Sequence, residues 1–122
     1  MATTYVDIQD RYFIKTDNTN DIRINVIIGD GQTGAYVIFE DKKLKAANKS
    51  ANLKAANKLV GKRCLVAATI VDMMNSTNWT SVTVEVLDGN KKQTYGPYSK
   101  EAPLQLDTIG YTISIYFQNP QP

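Results

Sequence analysis

Residues 109–117, Ile-Gly-Tyr-Thr-Ile-Ser-Ile-Tyr-Phe, constrain the fold more than any other stretch. Side chains alternate across a β-strand. In a strand, Ile109, Tyr111, Ile113, Ile115 and Phe117 therefore make one continuous apolar face. A one-sided apolar face needs a second layer, and a facing sheet supplies it. The same period recurs in Ile22-Arg23-Ile24-Asn25-Val26 and over residues 79–87, where Val82, Val84 and Val86 share a side. Residues 3–8, 11–16 and 63–72 are rich in β-branched, aromatic or apolar residues and are expected to be strands. Residues 35–39 are apolar on both faces, which predicts a central strand.

Turn chemistry divides these segments. Asp and Asn tolerate left-handed backbone and bond their own main chain, so residues 17–21 (Asp-Asn-Thr-Asn-Asp) read as a turn. Asp88-Gly89-Asn90 is a hairpin signal. Pro97 cannot donate to a ladder, which places the strand of residues 91–95 at a sheet edge. Residues 99–107 read as a connection. The result is about eight strands spaced near ten residues apart. The predicted fold is a mainly β, antiparallel β-sandwich, immunoglobulin-like or jelly-roll, forming a single domain over residues 1–122. Its expected core includes Ile24, Val66, Val82, Val84, Ile113 and Ile115.

One stretch does not fit that pattern. Residues 42–63 read KKLKAANKSANLKAANKLVGKR and hold eight of the fourteen basic residues and no acidic one. Leu44-Lys45-Ala46-Ala47-Asn48-Lys49 recurs nine residues later as Leu53-Lys54-Ala55-Ala56-Asn57-Lys58. Ala, Leu and Lys favour helix, but a nine-residue repeat is two and a half helical turns. Leu44 and Leu53 would then face opposite sides of one straight helix. The stretch is therefore read as a short basic helical insertion at residues 42–62, in two pieces broken near residues 50–52. Asp41 is the expected cap of the first piece and Gly61 the stop of the second.

The residues present exclude much chemistry. The chain has no histidine and one cysteine, so Ser-His-Asp and Cys-His catalysis are absent and a zinc site is implausible. Cys64 lies in an apolar run and is expected to be a buried, inert thiol. Gly29-Asp30-Gly31-Gln32-Thr33-Gly34 matches G-x-G-x-x-G. A strand follows it where a dinucleotide site needs a helix, and Asp30 would repel phosphate, so a glycine-rich hairpin is expected. Asp7, Asp10, Glu85 and Asp107 are the carboxylates left for acid–base work, and all read as turn or surface residues. Asp17, Asn18, Asn20, Asp21 and Asp30 offer oxygen donors that a calcium ion would need gathered at one end. Ile22 stands where the glycine of a helix-loop-helix calcium site belongs. The expectation is no enzyme, no cofactor and no metal.

Charge and aromatic placement carry the functional expectation. The basic segment opposes a remainder with six basic and twelve acidic residues. Lys42, Lys43, Lys45, Lys49, Lys54 and Lys58 are the expected contact surface for an acidic protein partner or another copy of the chain. No arginine or aromatic lies among them, which argues against nucleic-acid base stacking. Trp79, Tyr95 and Tyr98 border turns and form a candidate sugar-binding platform. No signal peptide or membrane-length apolar run is visible, giving an expected cytoplasmic location, or export without a recognisable signal, and no membrane partner. The sequons at Asn48, Asn75 and Asn78 read as ordinary turn residues. The functional expectation is a noncatalytic protein-interaction module: an adaptor, an inhibitor or immunity-type protein, or an assembly subunit. A carbohydrate-binding sandwich is the alternative.

Overall fold

The computed structural model describes residues 2–74 and 76–120; Asn75 of the middle sequon and the last two residues of the expected extended tail lie outside them. Nine strands are present among the described residues: β1 (Thr3–Phe13), β2 (Asp21–Ile28), β3 (Thr33–Glu40), β4 (Lys43–Ala47), β5 (Ala51–Ala55), β6 (Arg63–Val71), β7 (Trp79–Asp88), β8 (Lys91–Glu101) and β9 (Thr108–Gln118). They form two sheets, ordered β1-β9-β6-β3-β4 and β5-β2-β7-β8. Each neighbouring pair is antiparallel except β1 with β9, which run parallel. Only β3–β4 and β7–β8 are neighbours joined directly in sequence; every other connection passes from one sheet to the other.

The alternation of β9 sets the core. Ile109, Tyr111, Ile113, Ile115 and Phe117 are all buried, and their partners on β6 across the sheet are Ile70, Ala68, Val66 and Cys64. Ile22, Ile24, Val26, Val82, Val84 and Val86 cover them from the second sheet. Each such aliphatic side chain removed from water contributes about 1.5–3 kcal/mol. The six core residues expected from the alternation are all buried. Tyr111 reaches the facing sheet with its hydroxyl satisfied, 2.8 Å from Thr80 Oγ1 and donating to the Thr80 carbonyl at 3.2 Å.

The expected helical insertion does not form. Residues 43–55 are two short strands, and the only helical piece here is a 3-10 turn over Ala56–Lys58. β4 completes the edge of the first sheet and β5 the edge of the second. Helix propensity is worth only tenths of a kcal/mol per residue; it yields here to ladder pairing with β3 and β2 and to burial of Ala46, Ala51, Leu53, Ala56 and Leu59. The two copies of the repeat are not equivalent, since Leu53 is buried while Leu44 is 56% exposed. Asp41 caps no helix. Its backbone is left-handed (φ 51°) and its carboxylate accepts the Arg63 N–H at 2.9 Å. Gly61 (φ 87°) lies beyond the 3-10 turn, its N–H donating to the Phe117 carbonyl.

Three other boundaries differ from the sequence reading. Residues 3–13 are one strand, because parallel pairing with β9 continues without interruption from Thr3 to Phe13. β8 continues past Gly96-Pro97 to Glu101 through a register shift opposite Val82 and Val84. It is nevertheless an edge strand, as Pro97 requires. The glycine-rich segment is a crossing between sheets, since β2 and β3 belong to different ones. Asp30 and Gly31 are both left-handed (φ 59° and 71°), and Gln32 N–H closes the turn on the Gly29 carbonyl. Gly34 stays a glycine because a Cβ there would meet the Thr69 carbonyl oxygen at 2.8 Å.

Candidate functional site

The wiring sorts the connections to two ends. One end gathers residues 14–20, 41–42, 56–62 and 89–90 with the close of β9. The other gathers residues 29–32, 72–74, 76–78 and 102–107 with the start of β1, and the β4–β5 crossing, residues 48–50 with Lys49, lies part-way between them beside Tyr36 and Ile24.

The six lysines singled out from sequence lie along the β4–β5 side of the sandwich and its first end. Lys42 and Lys43 sit at the β3–β4 turn, Lys45 on β4, Lys49 in the crossing to β5, Lys54 on β5 and Lys58 in the 3-10 turn. All are exposed except Lys45, which is half-buried. They decorate two sheet edges, where lysine also blocks strand addition. Lys54 is the one already engaged. Its Nζ lies 3.0 Å from Glu40 Oε2, with Lys62 Nζ 3.8 Å from the same oxygen. The hydrogen bond and charge of Glu40 hold the Lys54 ammonium above its usual range. Glu40 is only 3% exposed and its Oε1 has no hydrogen-bond partner among the described residues. Burial, and then the Glu40 charge, push the neighbouring Cys64 thiol up to about 12. The thiolate that reactive cysteines need is therefore scarce.

Asp88 is the polar hub of this basic end. It is buried at the β7–β8 hairpin and accepts hydrogen bonds from Tyr12 Oη (2.6 Å), Asn18 Nδ2 (2.8 Å to one oxygen, 3.1 Å to the other) and Asn20 Nδ2 (3.0 Å). Burial raises the Asp88 pKa; the Tyr12, Asn20 and Asn18 hydrogen bonds and the Lys91 charge outweigh it and hold the carboxyl below its usual value. Lys91 Nζ lies 5.4 Å from the centre of the Tyr12 ring. Beside this hub opens a cavity of about 540 Å³ with Phe13, Lys15, Asp17, Lys91 and Pro120 in its wall. Asp30 lies at the opposite end from Asp17–Asp21, so the five calcium-donor candidates do not gather, and Asn18 and Asn20 already serve Asp88.

At the far end the hub is the Gln32 amide, with the buried carboxylates of Asp72 and Asp107 beside it. Gln32 is buried and ties three loops together. Its Nε2 donates to Asp72 Oδ1 (2.8 Å) and to the Trp79 carbonyl (3.0 Å), while its Oε1 accepts the N–H groups of Met73 (2.8 Å) and Met74 (3.2 Å). Asp107 accepts the N–H groups of Ala2 and Leu104. Leu106 N–H donates to the Asp72 carbonyl, and Asp72 N–H to the Asp107 carbonyl. Asp72 is wholly buried and its Oδ2 has no hydrogen-bond partner among the described residues. Apolar tips stand outward from these loops: Met73 52% exposed, Met74 37%, Trp79 48%, Leu104 69% and Leu106 45%. Only Trp79 of these was singled out from sequence. The available signal was apolar residues inside otherwise polar connections, Asp72-Met73-Met74 and Pro103-Leu104-Gln105-Leu106.

The aromatic trio does not share a face. Trp79 points away from the core, whereas Tyr95 and Tyr98 lie opposite Val84 and Val82 and face inward. Tyr95 is buried, contrary to the expectation from the turn beside it, and its hydroxyl donates to the Arg11 carbonyl at 2.7 Å. Tyr98 is half-buried against β1, with its hydroxyl 3.5 Å from Asp10 Oδ2. The remaining carboxylates are dispersed: Glu85 meets Asn25 and Lys92 on the outer face of the second sheet, and Asp107 closes a loop. Among the described residues no group of three or more cysteines and carboxylates is arranged to hold a metal ion, and no helix is long and apolar enough to cross a membrane. Comparison with family models, curated proteins and solved structures returned no match.

Proposed function

We propose that the protein is a noncatalytic protein-interaction module that binds an acidic protein surface through its lysine-bearing side. The observation that carries this reading is the placement of residues 42–58: the backbone and alanines complete two sheet edges, and five of the six lysines stay exposed. Exposed lysine pairs contribute only about 0.2–1 kcal/mol each, so the cluster acts mainly through association rate and salt dependence. An adaptor, an inhibitor or immunity-type protein and an assembly subunit all fit this role.

The test is affinity capture from native extract with the intact chain and with a variant carrying Lys42→Gln, Lys43→Gln, Lys49→Gln and Lys58→Gln. Lys54 is left in place because it compensates Glu40. Capture of a partner that is lost in the variant, and weakened by salt in the parent, is the expected outcome. Capture that survives both changes intact would show that the lysines are only a solvated edge.

A further inference from the structure

We infer that the partner of the basic end is a second copy of this chain, which docks head to tail through the apolar end described above. The inference rests on reading the chain as an interaction module and names its partner.

Three observations meet here. The first is concentration of apolar surface. Nine large hydrophobic side chains are exposed among the described residues, and five of them, Met73, Met74, Trp79, Leu104 and Leu106, lie at one end. Met and Trp are enriched at protein interfaces, and Trp is a frequent hot spot. Gln32, Asp72 and Asp107 fasten the loops that carry them, so little ordering entropy is left to lose on docking.

The second is charge. The loops at that end contain no lysine or arginine; of their three carboxylates Asp30 is exposed, while Asp72 and Asp107 are buried. Glu101, exposed, lies opposite Trp79 in the ladder; Lys100 is on the same flanking strand. The loops at the other end contain Lys15, Lys42, Lys58 and Lys62 against Asp17 and Asp41, with Lys91 and Lys92 following the hairpin turn. The exposed charges of the far end are thus Asp30 and Glu101 with Lys100, against an excess of lysine at the other, and this bias makes opposite ends complementary.

The third is shape. The basic end has the 540 Å³ cavity, with Phe13 and Pro120 as apolar wall and Lys15 and Lys91 beside Asp17. An apolar tip such as Leu104 has somewhere to go, with Glu101 set to meet the lysines. Two different surfaces meeting make a heterologous contact, which propagates into open chains unless its rotation closes a ring. A bilayer suits this end less well, because anionic lipid attracts basic segments and these loops have none.

Sedimentation of the intact chain tests the inference. At low ionic strength the average mass should rise with concentration past that of a dimer. A double variant Trp79→Glu with Leu104→Glu disables one end, and Lys15→Glu with Lys91→Glu disables the other. All four positions are exposed; circular dichroism and an unchanged Tm establish that each variant is folded, and Trp79→Ser and Lys15→Gln replace any that is not. Each double variant alone should associate about tenfold or more weakly, the effect of removing a hot spot. Mixed, they retain one good end each and should form a one-to-one dimer that grows no further. A chain that stays monomeric at every concentration, a single-end variant that still associates, or a mixture that yields no dimer would overturn the inference. So would a monomeric chain that sediments with phosphatidylcholine–phosphatidylserine vesicles through Trp79 and Leu104. A monomeric chain that captures an acidic partner through its lysines would overturn this inference alone and leave the interaction-module reading standing.

Discussion

The two ends of this sandwich differ in their connections and in the polar groups they bury: the basic end holds both within-sheet turns, β3–β4 and β7–β8, and the far end only crossings between sheets. The basic end centres on a buried carboxylate, Asp88, that only accepts; a tyrosine hydroxyl and two asparagine amides satisfy it, and lysines line the rim. The far end centres on Gln32, which donates and accepts at once and so collects backbone groups from loops that hold no basic residue. The Asp88 carboxylate is satisfied by side chains, whereas Gln32 and the buried Asp107 take up main-chain groups of the far loops. The apolar side chains of those far loops stand outside.

The strongest effect should come from between the ends. Ile115 is wholly buried, and Ile115→Ala should cost about 2–5 kcal/mol in urea unfolding. That value sets the scale against which each end is measured; a loss under about 0.5 kcal/mol would remove β9 from the core. Gln32→Ala should come next, at about 2–4 kcal/mol, because it leaves two N–H groups and two acceptors without their partner. It should also raise amide exchange at Met73 and Met74 while leaving the Asn18–Asn20 loop protected. Equal loosening at both ends would break the comparison.

Asp88→Asn should cost about 1–3 kcal/mol at neutral pH, since Tyr12, Asn18 and Asn20 lose a charged acceptor. The pH dependence has a defined sign. The folded pKa of Asp88 lies below its unfolded value, about 3.9 in an unstructured chain. Its contribution is fully present above that value and is lost as pH falls through the folded pKa. The parent protein should therefore lose stability faster than Asp88→Asn below about pH 4. Parallel acid limbs for the two proteins would show that Asp88 is not the hub of its end.

A smaller effect separates lysines that look alike in sequence. Lys54→Ala should destabilise the fold measurably more than Lys58→Ala, because it leaves the buried Glu40 carboxylate with only the more distant Lys62, whereas Lys58 is an exposed lysine whose loss should cost under about 0.5 kcal/mol. Equal losses would mean that the Glu40 contact adds nothing.

The sequence shows the sheets more clearly than it shows the surfaces. Ile22–Val26 alternation, the valines of β7 and the five inward residues of β9 are legible because a strand period of two forces burial on one side. The Asp88-Gly89-Asn90 turn is legible because its backbone demands those residues. Residues 42–58 are not, because alanine and lysine prefer helix, and only contact with β2 and β3, distant in sequence, overrules them. The mismatch between a nine-residue repeat and 3.6 residues per turn was the available warning. Tyr95 was misplaced because Gly96-Pro97 looks like a turn, while the ladder absorbs it as a register shift. The hubs were illegible for a plainer reason: Gln32 and Asp88 read as turn residues until the strands bring their partners to them across 40 and 76 residues of chain.

The most direct test of a polarised, two-ended interaction module is sedimentation equilibrium of the unmodified chain at low and at high salt. Docking a basic end on an acidic, apolar one should give concentration-dependent association that weakens about tenfold or more as salt screens the charges within a Debye length of about 3 Å at 1 M. Association indifferent to salt would leave the basic end without a part in it, and a chain that remains monomeric in both conditions would contradict the pairing of the two ends.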